Sequence, residues 1–124
     1  MWIRWNPNPR RTEEPDCVIR AICAATGRSW HSVFWDLCGL AYEECTMPSS
    51  NWLWGLFLKH LGFQPFLLPE SCPECITVKA FCERFPEGTY IIGTGSHAVC
   101  IRDGNYIDAW DSGDETPAYF WKGR

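Results

Sequence analysis

A chain of 124 residues with 46% hydrophobic residues is about one domain's worth of sequence, with room for a modest core. Its formal charge of -4 argues against a phosphate-tracking surface, because the one basic cluster, Arg4, Arg10 and Arg11, runs at once into Glu13 and Glu14; no nucleic-acid partner is expected. No apolar leader follows Met1 and no apolar run approaches the ~18 residues of a membrane span, so the expected setting is cytoplasmic, away from membranes, with most of the eight cysteines reduced.

Residues 1–15, rich in Pro, Asn and Arg and without a sustained period, read as an extended N-terminal arm, and residues 16–124 as a single domain. Asp16 is placed to cap a helix that carries Val18, Ile22 and Ala25 on one stripe and stops at Gly27. Ser29 caps a second helix, in which Trp30, Val33, Phe34, Leu37, Leu40 and Ala41 recur at helical spacing. Ser49 or Ser50 opens a third over Asn51 to His60, and Thr77 a short fourth over Val78 to Phe85.

Strand signals take over toward the C-terminus. Phe63 to Leu68 and Thr89 to Ile92 are short apolar runs, and Tyr119 to Trp121 is a candidate last strand. Ser96 to Arg102 and Asn105 to Trp110 flank Asp103-Gly104, a strong hairpin turn. Helices followed by an antiparallel sheet make an α+β architecture.

Cys17 at the start of the first helix and His97 before the hairpin strand form a thiol and imidazole pair in which the helix terminus and the ring can favour the thiolate. A tight Asp103-Gly104 turn sets Arg102 opposite Asn105 and places Asp108 diagonally beside His97, able to fix its tautomer, with Asp111 on the opposite face. A one-residue slip would promote Asp111 instead. Trp110, on the His97 side, is placed to line such a site; Trp30, Trp52, Trp54, Trp110 and Trp121 all have apolar neighbours, so core packing is their default.

Cys23, Cys38, Cys82 and Cys100 read as small core residues, and His31 and His60 as structural or solvated. Cys72-Pro73-Glu74-Cys75 could serve as a redox pair or half a zinc site, but no second CxxC or HxxxH supplies further ligands, so no metal is expected.

Asp16-Cys17-Val-Ile-Arg-Ala-Ile, Gly95-Ser-His97-Ala-Val and Tyr106-Ile-Asp108-Ala-Trp-Asp-Ser together resemble the papain-like cysteine peptidases, specifically small bacterial and phage members close to the C39-like peptidases, from about Asn6 to Trp121. The resemblance implies helices, with the nucleophile at the start of the first, packed on a C-terminal antiparallel sheet. It also implies attack by Cys17 on a peptide or protein substrate, His97 as base and then acid, Asp108 orienting it, an acyl-enzyme resolved by water, and no cofactor. The family's glutamine upstream of the cysteine has no counterpart, Gln64 being the sole glutamine, so Asn8 or Asn6 becomes the candidate oxyanion donor beside the Cys17 backbone N–H. An aromatic often shields the base in that fold, the part open to Trp110.

Other readings share these residues. NlpC/P60 cell-wall peptidases also pair Asp-Cys with a histidine-led hairpin, but place serine where this chain has Val18. A non-catalytic interaction module on the same fold, encoded by a phage and acting on a host factor, would not need the thiol, and a CxxC oxidoreductase would not need His97. Oligomeric state leaves no mark on the sequence.

Overall fold

In the computed structural model, which describes residues 1–69, 71 and 73–123, Asp103 and Gly104 take φ of 49° and 77°. Two successive positive φ values define the turn whose twist suits a two-residue hairpin, and Asp-Gly is suited to adopt them. The strands it joins, β4 (Ala98–Arg102) and β5 (Asn105–Asp108), pair Arg102 with Asn105, Ile101 with Tyr106 and Cys100 with Ile107, the register expected of that turn.

The remaining elements are β1 (Trp2–Arg4), α1 (Cys17–Thr26), α2 (Trp30–Glu43), α3 (Asn51–His60), β2 (Gln64–Leu67), α4 (Val78–Arg84), β3 (Thr89–Gly93) and β6 (Tyr119–Lys122). Local chemistry sets most helix ends. Ser29 accepts the Ser32 N–H at 3.2 Å and Thr77 the Ala80 N–H at 3.1 Å, each satisfying a donor that the first turn leaves open. Gly27, at φ 76°, closes α1 by donating its N–H to the Cys23 carbonyl at 2.9 Å. Asp16 and Ser50 occupy N-cap positions without a side-chain capping bond, so the capping role expected of Asp16 is not the one its carboxylate performs.

The strands form one open six-stranded sheet in the order β1-β5-β4-β3-β6-β2. It is mixed rather than purely antiparallel, because β1 runs parallel to β5, with Trp2, Ile3 and Arg4 opposite Tyr106, Ile107 and Asp108. The start of the arm is therefore an edge strand, tied down by the Trp5 N–H and the Trp2 indole N–H, which both donate to the Asp108 carbonyl.

Two cores flank the sheet. On one side α1, α2 and α3 bury Ile22, Leu37, Leu53, Trp54 and Leu58 against Ile91, Ala98, Cys100 and Trp121. Gly55 lets α3 approach β6 closely, since a Cβ there would lie 3.0 Å from the Trp121 ring. On the other side α4 packs Val78 and Phe81 on Tyr90, Ile92, Val99, Ile101, Tyr106 and Phe120. The alternation of residues along β3, β4 and β6 between these clusters is the period-two pattern of a sheet covered on both faces.

Several aromatic residues depart from the core expectation. Trp54 and Trp121 are buried, but Trp52 is 59% and Trp110 45% exposed, and Phe34 of the α2 stripe is also exposed. Among the other thiols, Cys23, Cys82 and Cys100 are buried as expected, whereas Cys38 is half-buried. No helix among the described residues is long and apolar enough to cross a membrane.

Candidate active site

Cys17 is the first residue of α1, and its half-buried sulfur lies at the end of the sheet where β4 begins. Burial alone would push the thiol up. Hydrogen bonding from the His97 ring and the Ala98 backbone, with the charges of His97 and Arg20, outweighs that penalty and holds Cys17 below its ordinary value of 9.0. Burial has the opposite outcome where no such partners stand: it raises Cys100 to about 12 and Cys23 to about 11.

His97 sits just before β4, its backbone N–H anchored on the Thr94 hydroxyl at 3.0 Å. Its Nε2 is 2.6 Å from Asp108 Oδ2, so Nδ1 is the ring nitrogen left for Cys17. Burial works to lower the imidazole, but hydrogen bonds to Asp108 and Cys17 and the charges on both prevail and raise it to about 9. Asp108, only 2% exposed, is held below its ordinary value because His97, Ser112 and the Ala109 N–H outweigh its desolvation. Ser112 Oγ donates to Oδ2 at 2.7 Å, and the Ala109 N–H donates to Oδ1 at 2.8 Å.

Asp111 is engaged elsewhere. Its Oδ1 accepts from the Tyr106 hydroxyl at 2.5 Å and from the Gly113 N–H at 3.1 Å. The hairpin register thus distinguishes the two aspartates, but strand alternation does not explain how the triad meets. Alternation assigns His97 and Asp108 to the side of Val99, Ile101 and Tyr106, the α4 side, whereas Cys17 comes from α1. His97 precedes β4 and Asp108 is the last residue of β5, so both stand at the end of the hairpin nearest Cys17.

Arg20 is the residue that sequence reasoning passed over. Its guanidinium is buried between two acids: Nη1 pairs with Asp16 Oδ1 and Nη2 lies 3.4 Å from Asp108 Oδ1. Nη1 also donates to the Glu14 carbonyl at 3.3 Å, and Nε is buried without an acceptor among the described residues. Asp16 in turn accepts the Trp30 indole N–H at 2.9 Å and the Asn8 amide at 3.5 Å. One connected polar chain therefore runs from α2 through Asp16, Arg20 and Asp108 to His97. The sequence did carry a signal for part of it, an Asp and Arg four apart on one helix, the spacing of side-chain pairs.

The oxyanion candidates separate. Asn8 is buried and lines the cleft beside Cys17, with its Oδ1 accepting the Arg10 N–H at 2.9 Å, which turns the amide NH2 end toward Asp16. Asn6 does not line that cleft; its Oδ1 accepts the Asn8 N–H and its Nδ2 donates to the Thr12 carbonyl, so it braces the arm. Trp110 packs on His97 with ring centroids 4.7 Å apart.

The cleft encloses about 1060 Å³ between the arm, the starts of α1 and α3, and α2, with Cys17 and His97 on its wall. Trp30, Phe34, Leu37 and Trp54 make much of the lining apolar. His31 lines it as well, edge-on to Trp30, while His60 is exposed at the end of α3. Among the described residues no three His, Cys, Asp or Glu side chains gather as metal ligands, and Cys72 of the CxxC segment lies outside the described residues. No known protein family, curated protein or solved structure matches this chain.

Proposed function

We propose that the protein is a thiol-dependent hydrolase of peptide or amide bonds, papain-like in its arrangement, with Cys17, His97 and Asp108 as its triad. The observation that carries this reading is the His97 ring, held by Asp108 on Nε2 at 2.6 Å while its other side acts on a thiol of lowered pKa in an open cleft. A raised imidazole beside a lowered thiol favours the thiolate and imidazolium pair at neutral pH.

The Cys17 thiolate attacks the carbonyl carbon. The tetrahedral oxyanion is met by the Cys17 backbone N–H, one of the open donors of the first helical turn, and by the Asn8 amide. As the bond to nitrogen breaks, the His97 imidazolium delivers its proton to the leaving amine. Water then attacks the thioester, His97 takes a proton from it, and the acid product leaves with the thiolate restored. Asp108 keeps the ring oriented, and Arg20 pairs with its other carboxylate oxygen and helps hold it in place.

Iodoacetamide at near-neutral pH tests the reading, with the exposed Cys45 as the internal control. Cys17 should be alkylated well ahead of Cys45, and His97→Ala should remove that advantage while leaving Cys45 unchanged. Equal slow labelling of the two thiols would count against a hydrolase. A biological effect that survives Cys17→Ala would point instead to an interaction module.

A further inference from the structure

We propose that the leaving-group side of this site carries a carboxylate subsite built from Arg4 and Arg11, so that the substrate bears an acidic group just beyond the bond that is cut. This rests on the hydrolase reading above. A general acid protonates the departing amine, so the leaving fragment lies on the His97 side of the scissile bond. Trp110 packs against that ring at a tilt of 39° and lines both the main cleft and a second cavity, and the two spaces also share Glu14 and Arg20. A chain that leaves His97 past Trp110 therefore enters the second cavity.

That cavity presents three arginines, Arg4, Arg11 and Arg20, beside Trp5. Arg20 is already committed to Asp16 and Asp108. Arg4 and Arg11 are not: both are exposed, and among the described residues neither makes an ion pair. Each is nonetheless held by its backbone. Arg4 is paired in β1 opposite Asp108, and Arg11 closes a turn with φ 54° in which its N–H donates to the Asn8 carbonyl at 2.9 Å. Glu13 and Glu14 line the same cavity, and neither is within ion-pair distance of the two arginines. Their charge opposes a dianion, whereas a single carboxylate matches the planar guanidinium fork.

Two sources could supply that carboxylate, an acidic side chain or the end of a peptide. The test uses the full chain carrying Cys17→Ala and three probes that mimic leaving fragments: glutamyl-glycinamide, glycyl-glycine and the neutral glutaminyl-glycinamide. Titration is followed by calorimetry and by tryptophan emission, since Trp5 and Trp110 line the cavity. At least one carboxylate probe should bind about tenfold more tightly than the neutral one, and Arg4→Gln and Arg11→Gln should each erase the advantage. Tighter binding of glutamyl-glycinamide identifies a side-chain acid, and of glycyl-glycine a chain terminus.

Equal binding of the three probes, absence of binding included, overturns the proposal, as does an advantage that survives both arginine substitutions. If that happens while Cys17 in the unmodified chain is alkylated far ahead of Cys45, the hydrolase reading stands and the subsite falls. If carboxylates are preferred but Cys17 is no more reactive than Cys45, the assignment to a leaving group falls with the hydrolase.

Discussion

On the α4 face of the sheet, Phe81, Phe85, Tyr90 and Phe120 pack ring against ring at centroid distances of 4.5 to 6.0 Å, with the aliphatic residues of β3 and β4 beneath them. At the end of the same sheet where α1 begins, the buried polar groups are Asn8, Asp16, Arg20, Asp108 and Ser112. The thiols record the difference. Cys82, on the dry face, is raised by its burial, whereas burial of Cys17 is overcome first by the His97 imidazole and the Ala98 backbone, with Arg20 adding to them. Apolar packing contributes stability wherever volumes match, but buried charges cost several kcal/mol per ion unless every one is paired, and their retention here is consistent with chemistry at this end of the molecule.

The comparison is broken most severely by Asp108→Asn. An amide can hold the ring in the wrong tautomer, so hydrolysis should fall by about four decades while the urea midpoint moves far less than activity does. Phe81→Ala gives the converse outcome. It should destabilise the chain by about 3–5 kcal/mol in urea unfolding, yet leave the alkylation rate of Cys17 in the folded protein unchanged. Arg20→Met tests the link between the halves of the polar chain. Two buried acids would lose their cation, costing about 3–5 kcal/mol, and the alkylation pH profile of Cys17 should shift upward; Arg20→Lys should restore stability in part.

Asn8→Ala should lower turnover about 10²- to 10³-fold with a smaller change in Cys17 alkylation, because the donor acts on the oxyanion and not on the thiolate. The pH dependence is a further check. Hydrolysis should rise with pH as Cys17 ionises below its ordinary 9.0 and fall as His97 deprotonates near 9. In stability, the raised His97 contributes fully below 6.5 and its contribution is lost as pH climbs through about 9. Asp108 works in reverse, contributing above its ordinary 3.8 and losing that contribution as acid carries the pH through its lower folded value.

Much of this arrangement is legible along the chain because the physics is local. Asp-Gly at 103–104 specifies a turn, the turn specifies a register, and the register separates Asp108 from Asp111. Ser29, Thr77 and Gly27 mark helix ends by bonds that span only a few residues. The parallel pairing of β1 with β5 is different in kind, since it joins residues about a hundred positions apart and Trp-Ile-Arg alone carries no period that announces a strand. Trp52 was similarly illegible, because an aromatic in an apolar neighbourhood looks alike whether its outer face meets a core or solvent.

The sequence by itself determined the four helices and the hairpin with its register, because each follows from caps and turns acting over short distances. Only the tertiary structure decided that Asp16 serves Arg20 instead of capping its helix, that Arg20 reaches Asp108, and that the arm closes the sheet edge beside them. Those outcomes depend on which buried charges find partners across the fold, and the energy of a buried charge is set by the surroundings that assemble around it.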